Sequence, residues 1–298
     1  MNSAATQQPV PGKAANKYDL PALFFIPTLH ILAIVAIPYF SWDALAICLF
    51  GLFIVTPFGV NLAYHRVLSH RSLKLPKWLE YTFVTVGAAM AGGPPLFWAA
   101  AHRAHHKYSD TEKDPHNSRR GFWYSHMTHL FQGRSQEEID SWLKLVPDLR
   151  DDRYYRFLNA AWIPLSALVL IPLYLAGGVG YVLWGGVVRI VLMLHFTWFV
   201  NSLCHLWGYR NYNSADRATN NWLVAILAAG EGWHNNHHAH QYSATNRHRW
   251  WEFDFTYSII WTLEKLGLAT HVRRPRFMTT SESADEMGAD LTPATSEA

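Results

Sequence analysis

The run WDALAICLFGLFIVTPFGVNLAYHRVLSH, residues 42–70, sets the architecture of this chain, because it reads as a long apolar helix that ends in histidines. Residues 42–64 are largely apolar and have close to the roughly 20 residues that a helix needs to cross about 30 Å of hydrocarbon. His65 and His70 follow at once, slightly more than one helical turn apart, which suits a helix end that runs into a loop. The sequence therefore predicts a membrane helix that carries imidazoles to one face of the membrane.

Four apolar stretches in all have about the length of a membrane span, namely 20–40, 42–64, 158–175 and 179–203. They come as two closely spaced pairs, joined by residues 41–43 and 177–180, so two helical hairpins are the simplest arrangement. A further apolar stretch, 81–101, contains Gly-Gly-Pro-Pro and is predicted to be an interfacial or re-entrant segment instead of a span. We expect an all-α integral membrane protein with four transmembrane helices and a helical cap that carries the histidines.

The basic residues predict how the hairpins are oriented. Residues 65–158 hold 14 of the 25 Lys and Arg residues, and the two tight turns hold none. Because basic loops stay in the cytoplasm, the cap and both termini are expected on the cytoplasmic side. Residues 1–17 and 279–298 are polar and poor in aromatic residues and are predicted to be disordered, which leaves one domain at 18–275.

Charge and cysteine content narrow the classes of partner. The C-terminal tail holds five acidic residues, so the rest of the chain carries a formal charge of +8, compared with +3 for the whole chain. A basic body suits anionic lipid headgroups and acidic small redox proteins, and no nucleic-acid partner is expected. The two cysteines, Cys48 and Cys204, lie in apolar surroundings and exclude a disulfide framework or a cysteine metal motif.

Eight histidines stand in three clusters, His65-x4-His70, His102-x2-His105-His106 and His234-x2-His237-His238. Neutral imidazole is a strong ligand for borderline metals, and residues three and four apart share one face of a helix. One metal cannot bind eight imidazoles, but two adjacent metals can. The clusters therefore predict a dinuclear site, assembled from segments about 130 residues apart.

The residues around these clusters resemble the membrane-bound fatty acid desaturases, and in detail the Δ9 (stearoyl) branch of the bacterial or cyanobacterial type. Four runs carry the resemblance: YHRVLSHRS at 64–72, HRAHHKYSD at 102–110, DPHNSRRGF at 114–122 and GEGWHNNHH at 230–238. It covers most of residues 20–275. Alkane hydroxylases, xylene monooxygenases and carotenoid ketolases have related histidine boxes but less similar flanks.

The resemblance implies a ninth histidine and a set of supporting residues. Asn201-Ser202-Leu203-Cys204-His205 is similar to the Asn-x3-His that completes the metal site in this branch, which makes His205 a ligand and gives Asn201 a metal-bound water. One iron ion (Fe²⁺) would then bind five imidazoles, and a second would bind four imidazoles plus that water. Which histidine binds which iron is left open. Supporting roles fall to Asp110, Asp114, Glu231 and His126, which are expected to orient ligands, and to His195, expected in the substrate tunnel or as a core histidine.

The implied activity is O₂-dependent desaturation, in which a saturated acyl chain gains a cis double bond, at Δ9 in this branch, and O₂ is reduced to water. Electrons would come from a separate ferredoxin, rubredoxin-like protein or cytochrome b5, because the chain has no His-Pro-Gly-Gly haem motif. The stretches WAAA at 98–101 and LFQGR at 130–134 depart from those of animal acyl-CoA members, which carry polar and basic residues there that contact the nucleotide. The expectation is therefore an acyl-lipid substrate, with acyl-CoA as the alternative.

Two other classes of protein remain open from the sequence. A related diiron hydroxylase would insert oxygen in place of forming an alkene. A metal transporter or store would need ligands spread along the spans, whereas here they gather at one side. The outlying His240, His248 and His271 are predicted to lie on the surface.

Overall fold

The computed structural model describes residues 17–278, and these residues are helical, with β-structure limited to isolated single-residue bridges. The predicted disordered termini lie outside the described residues, apart from Lys17. The helices are α1 Leu20–Val35, α2 Trp42–Ile54, α3 Lys77–Ala89, α4 Pro95–Tyr108, α5 Phe122–His126, α6 Gln136–Leu143, α7 Arg153–Tyr181, α8 Arg189–Ser202, α9 Trp222–Leu227, α10 His234–Ala239 and α11 Phe255–Lys265. Short 3₁₀ turns occur at Ile37–Tyr39, Ser118–Arg120, Thr128–Phe131, Leu203–His205 and Arg276–Met278.

Helix α2 continues without a break into a π-helix, Val55–Ser69, so the opening run of sequence is one long helix. Ser41 caps its start by accepting a hydrogen bond from the backbone N–H of Ala44. Among the described residues, Trp42–Ser69 is one of two helices long and apolar enough to cross a membrane, and Arg153–His205 is the other.

The second of these long helices reverses direction at the predicted glycine turn. Gly177 and Gly178 leave helical geometry, and Gly178 adopts φ +63°, a left-handed conformation that glycine tolerates without strain. Beyond the turn, a second π-helix, Val182–Val188, and α8 lead back along α7, where Leu173 packs beside Gly185 and Leu170 beside Gly186. Helix α7 and the helix formed by Val182–Val188 and α8 therefore make a helical hairpin.

Of the helix boundaries that differ from the predicted spans, two have clear local causes. Helix α1 ends at Val35, before the predicted residue 40, because Pro38 cannot continue the helical hydrogen bonds and a 3₁₀ turn replaces the last turn. Helix α7 begins at Arg153, five residues before the predicted start, because the side chain of Asp152 accepts hydrogen bonds from the first free N–H groups.

The stretch predicted to be interfacial, 81–101, is a helix pair interrupted where the Gly-Gly-Pro-Pro sequence stands. Helix α3 packs against the π-helical part of α2 and against α7, and α1 packs against Val182–Val188. The approach of α3 to α2 is very close, since a Cβ atom built on Gly59 would lie 2.7 Å from the backbone nitrogen of Gly87. This contact fixes the helix that carries the first histidine cluster, whereas the interfacial position of the segment stays a prediction.

Candidate metal centre

The histidines of the three clusters, together with His205, converge into two adjacent groups. The five-histidine group consists of His65, His70, His102, His106 and His237, and the four-histidine group of His105, His205, His234 and His238. Within each group the candidate ligand nitrogens all lie within 4.8 Å of one another. All nine histidines predicted as ligands are therefore brought together, in sets of five and four.

The π-helix explains how His65 and His70 reach the same group. In an α-helix, residues five apart point about 140° away from each other, given 3.6 residues per turn. In a π-helix the hydrogen bonds join residues five apart, and here the backbone N–H of His70 donates to the carbonyl of His65 at 3.1 Å. The two rings therefore lie edge to face, with centroids 4.8 Å apart.

Each His-x-x-His-His triplet divides between the two groups, and the two triplets divide in opposite ways. On α4 the first and last histidines, His102 and His106, join the five-histidine group, while His105 joins the other. On α10 the corresponding pair, His234 and His238, joins the four-histidine group, while His237 crosses to the first. The first and last histidines of a triplet are four residues apart and therefore lie along one face of the helix, whereas the middle histidine points to one side of them. Each helix therefore contributes histidines to both groups.

The distances between ring nitrogens fit ligands of a common metal ion. In the five-histidine group, neighbouring Nε2 atoms are 2.8 Å apart for His70 and His102, and 2.9 Å apart for His106 and His237. Two nitrogens that bind one metal at about 2.1 Å and at right angles lie about 3 Å apart. In the four-histidine group the Nε2 atoms of His205 and His234 are 3.1 Å apart.

Three carboxylates fix the imidazoles of the four-histidine group. The Nδ1 atom of His105 lies 3.0 Å from Oδ1 of Asp114, and that of His205 lies 3.1 Å from Oδ2 of Asp110. The third carboxylate, Asp216, hydrogen-bonds Nδ1 of His238. An imidazole that donates from Nδ1 presents the lone pair of Nε2, and three such lone pairs converging on one point are suited to binding a cation. The donor set therefore fits a metal ion.

The pKa shifts of the carboxyls and of most of the shifted imidazoles also favour metal binding. Burial raises the pKa of the carboxyls of Asp110, Asp114 and Asp216, but the bonded imidazoles hold each pKa well below its usual range. Burial and neighbouring imidazoles lower the pKa well below its usual value for His70, His102, His106, His234 and His237. Ionised carboxylates, and neutral imidazoles at these five positions, are the forms that metal binding needs. The pKa of His105 is instead raised, because the carboxylate of Asp114 outweighs the effect of burial.

Glu231 supports the five-histidine group through a buried ionic network. Its Oε2 atom lies 2.9 Å from Nδ1 of His65, and its Oε1 atom accepts from the guanidinium of Arg66 at 2.9 Å. Arg66 also pairs with Asp254 at 3.0 Å, and all three side chains are buried. Despite burial, the contacts with His65 and Arg66 lower the pKa of Glu231 to about 2. Three predicted supporting residues, Asp110, Asp114 and Glu231, thus contact histidines of the two groups.

Two cavities that share part of their lining adjoin the groups. A small cavity of about 40 Å³ is lined by His65, His102, His105 and His234, which come from both groups, and by Asn201. This volume is enough for one or two water-sized molecules. A larger cavity of about 310 Å³ shares five of its lining residues, Val60, Trp98, His102, Thr197 and Asn201.

Away from the histidines, the larger cavity is lined by side chains from the helices. These are mainly apolar, and they include Phe25, Ile26, Ile190, Met193, Leu194 and Trp162. Asn201, which was expected to hold a metal-bound water, therefore lies where the apolar cavity meets the histidine groups.

His126 and His195 form a separate row of histidines. Nε2 of His126 lies 2.9 Å from Nδ1 of His195, whose Nε2 lies 3.0 Å from Nε2 of His30. The other ring nitrogen of His126 lies 3.0 Å from Oγ of Ser202. His126 is thus placed against Ser202 and His195 and not against a histidine of either group. His195 is not among the described residues that line the two cavities.

Two residues depart from what the sequence indicates. Asp216, which orients His238, lies in the loop between α8 and α9, and no sequence spacing connects it to a histidine cluster. His248 was predicted to lie on the surface, but it is 2% exposed, and its Nδ1 atom is 2.9 Å from the hydroxyl of Tyr212. The prediction for His248 was wrong because residues 243–254 fold inward around the buried carboxylate of Glu252, which accepts the backbone N–H of His248.

Two adjacent groups of buried or partly buried imidazoles, backed by carboxylates, define a candidate dinuclear metal centre made of histidines. Residues 18–274 match the sequence model of the family described as fatty acid desaturase. The chain belongs to the fatty acid desaturase family and is an oxidoreductase.

Curated relatives match nearly the whole chain. The sn-1 stearoyl-lipid 9-desaturase of Anabaena variabilis is 46% identical over 255 residues, which cover 84% of this chain and 92% of the relative. The acyl-CoA C20 Delta5-desaturase of Anemone leveillei is 45% identical over 260 residues, 87% of this chain and 83% of the relative. The sn-1 stearoyl-lipid 9-desaturase of Synechocystis is 43% identical over 257 residues, 85% of this chain and 80% of the relative.

Proposed function

We propose that this chain is an O₂-dependent diiron desaturase that introduces a cis Δ9 double bond into a saturated acyl chain carried by a membrane lipid. The observation that carries the proposal is the meeting of nine imidazoles, in groups of five and four, with an apolar cavity at Asn201. Cleaving an unactivated methylene C–H bond requires a strong oxidant that side chains cannot supply. Two bound irons would supply it by activating O₂.

In this proposal the five-histidine group holds one iron, and the four-histidine group holds the other with a water on Asn201. Asp110, Asp114 and Asp216 fix the ligand tautomers in the second group, and Glu231 lies beside His65 in the first. The side chains of the larger cavity hold the acyl chain and exclude water from the reacting methylenes. The position of the double bond then depends on how far the chain slides past Asn201.

The membrane arrangement is part of the proposal. Four spans in two hairpins place the cap and both termini in the cytoplasm, with 81–101 as an interfacial or re-entrant segment. It is supported by the apolar Trp42–Ser69 and Arg153–His205 helices, by the glycine turn, and by exposed apolar side chains on α1 such as Phe24, Ile31 and Ile34. Large apolar side chains left uncovered on a helix are expected to face lipid.

Expression in a host that lacks its own acyl desaturase tests the reaction. We expect cis Δ9 monoenes in total fatty acids, measured by mass spectrometry after derivatisation of the double bond, and no product from a His106→Ala variant. Hydroxy fatty acids without monoenes would instead assign the chain to the diiron hydroxylases. Monoenes at another position would contradict the Δ9 assignment and leave desaturation in place.

A short isotopic pulse tests the acyl carrier separately. Relatives named for lipid substrates and for acyl-CoA substrates match at 46% and 45% identity, so identity does not separate the two carriers. The absence of basic residues at 98–101 supports the lipid carrier. We expect labelled monoenes to appear first in membrane glycerolipids. Labelled monoenoyl thioesters that precede them would show an acyl-CoA substrate.

A further inference from the structure

A buried cation lies in the second of the long apolar helices. Arg189 stands where the π-helix Val182–Val188 joins α8, and it is 2% exposed. Within residues 17–278, no carboxylate forms an ion pair with its guanidinium. A charged side chain in an apolar span is costly to bury, and such residues as a rule serve a function. The contacts of Arg189 indicate which function this is.

The guanidinium of Arg189 connects three helices. Its Nε atom donates to the carbonyl of Gly185 at 2.9 Å, and its Nη1 atom donates to the carbonyl of Met90 at 2.8 Å. The stem of its side chain packs against Gly51 of α2, where an added Cβ atom would lie 2.5 Å from Cδ of the arginine. Met90 follows the last residue of α3, and carbonyls at a helix C-terminus lack partners within the helix and attract a cation. Arg189 therefore fixes the end of α3 against α2 and α8.

The segment that follows Met90, residues 91–94, forms one wall of the larger cavity. Ala91 has φ +66° and Gly93 has φ +94°, so the wall enters the left-handed region twice, and alanine adopts that conformation only at a cost. Contacts from outside the segment must therefore hold this wall in place. The hydrogen bond from Arg189 to the carbonyl of Met90 is one of them.

The helix of Arg189 forms another wall of the same cavity. Three residues of α8 line it near the arginine, Ile190, Met193 and Leu194. Asn201, further along α8, also lines it. Arg189 therefore links the segment 91–94 to the helix that carries Asn201. Because a saturated acyl chain offers no hydrogen bonds, the walls alone position it, and a displacement of about 1 Å can change a rate about 100-fold.

We propose that Arg189 is a positioning residue that determines regioselectivity. Through the carbonyl of Met90 it holds the wall at 91–94, and this wall sets which methylenes of the acyl chain lie beside the metal centre. The inference rests on the proposed desaturase function. Arg189 is not among the described residues that line the cavity, so it acts through the backbone that it holds.

Two substitutions of nearly equal length separate the hydrogen bonds of Arg189 from the bulk of its side chain. Arg189→Met removes every donor, whereas Arg189→Lys keeps the charge and a donor for one carbonyl. The control is Leu183→Ala, at a buried residue of the same hairpin that is not among the described residues lining the cavity.

The full-length variants are compared by two measurements. In a host that lacks its own acyl desaturase, mass spectrometry gives the double-bond position of every monoene. In lipid nanodiscs, hydrogen exchange of the purified, metal-free chain gives the exchange rates of the backbone amides at 91–93. The second measurement does not depend on turnover.

We expect Arg189→Met to raise the ratio of monoenes at neighbouring positions to Δ9 monoenes about tenfold, which corresponds to about 1.4 kcal/mol. Amide exchange at 91–93 should become faster by a similar factor. For Arg189→Lys, both quantities should stay within about threefold of the unmodified chain, because one charged hydrogen bond is kept. Leu183→Ala should lower the yield of monoenes without changing the isomer ratio or the exchange at 91–93.

Other outcomes overturn the inference. A lower yield from Arg189→Met at an unchanged isomer ratio would show a structural role alone, and so would equal isomer shifts in Arg189→Met and Leu183→Ala. Arg189→Lys behaving like Arg189→Met would contradict the role of the hydrogen bond to Met90. Absence of monoenes from the unmodified chain would contradict the proposed function and the role in regioselectivity, while hydrogen exchange would still decide whether Arg189 holds the wall.

Discussion

Replacing His105 and His106 one at a time is expected to remove different irons, although the two residues are neighbours on one helix. His106→Ala takes one ligand from the five-histidine group and His105→Ala one from the four-histidine group. Each loss should reduce monoene formation by more than about 100-fold, because even changes to residues that only orient ligands cost about 10- to 100-fold. Iron per chain and the Mössbauer spectrum of each purified variant provide the measurement.

The controls for this prediction follow from the grouping. His102→Ala should give the same Mössbauer change as His106→Ala, because both belong to the five-histidine group. His271→Ala, at an exposed histidine outside both groups, should retain both irons and full activity. If His105→Ala and His106→Ala lost the same iron, the division of the α4 triplet between two metals would be wrong.

Arg66→Met is expected to cause the largest loss of folding stability. The substitution leaves the carboxylates of Glu231 and Asp254 buried without their cation, and breaking a buried ion pair costs about 3–5 kcal/mol. Arg71→Met removes an Arg–Asp pair of the same chemistry, but its guanidinium is 55% exposed, so a loss of at most about 1 kcal/mol is expected.

Chemical denaturation of the detergent-solubilised, metal-free chain measures both variants without a contribution from metal binding. Equal losses for Arg66→Met and Arg71→Met would contradict the role of the buried network. A large loss of stability for Arg66→Met but not for Arg71→Met would support that role. The loss should become smaller when Glu231→Gln and Asp254→Asn are added to Arg66→Met, because neutral partners no longer leave a buried charge uncompensated.

The number and spacing of the histidines predicted that the clusters meet, since residues three and four apart lie near each other on a helix. The spacing did not show that residues three apart, such as His102 and His105, divide between the two groups. The convergence of His205 with them was not visible in spacing and came from the resemblance around Asn201. The π-helix at Val55–Ser69 was not predicted, because its sequence is as apolar as an ordinary helix and carries no separate signal. That helix is nevertheless what brings His65 and His70 together.

Residues that act through long-range contacts were the hardest to predict. Asp216 reaches His238 across 22 residues, and Arg66 reaches Asp254 across 188, and such contacts depend on how the loops of the cap fold. The turn at Gly177–Gly178 and the break in 81–101 could be predicted directly from the sequence, because glycine and proline act through local backbone geometry. Local signals therefore predicted helices and ligands, whereas the buried network behind them required the structure.

Iron Mössbauer spectroscopy of the purified, unmodified chain tests the diiron centre most directly. In the proposed centre, five imidazoles would bind one iron, and four imidazoles with a water would bind the other. Because these two sites are unlike, we expect two irons per chain and two quadrupole doublets of equal area. One iron per chain, a single site that accounts for all the iron, or a full complement of zinc with catalytic activity retained would contradict the diiron centre.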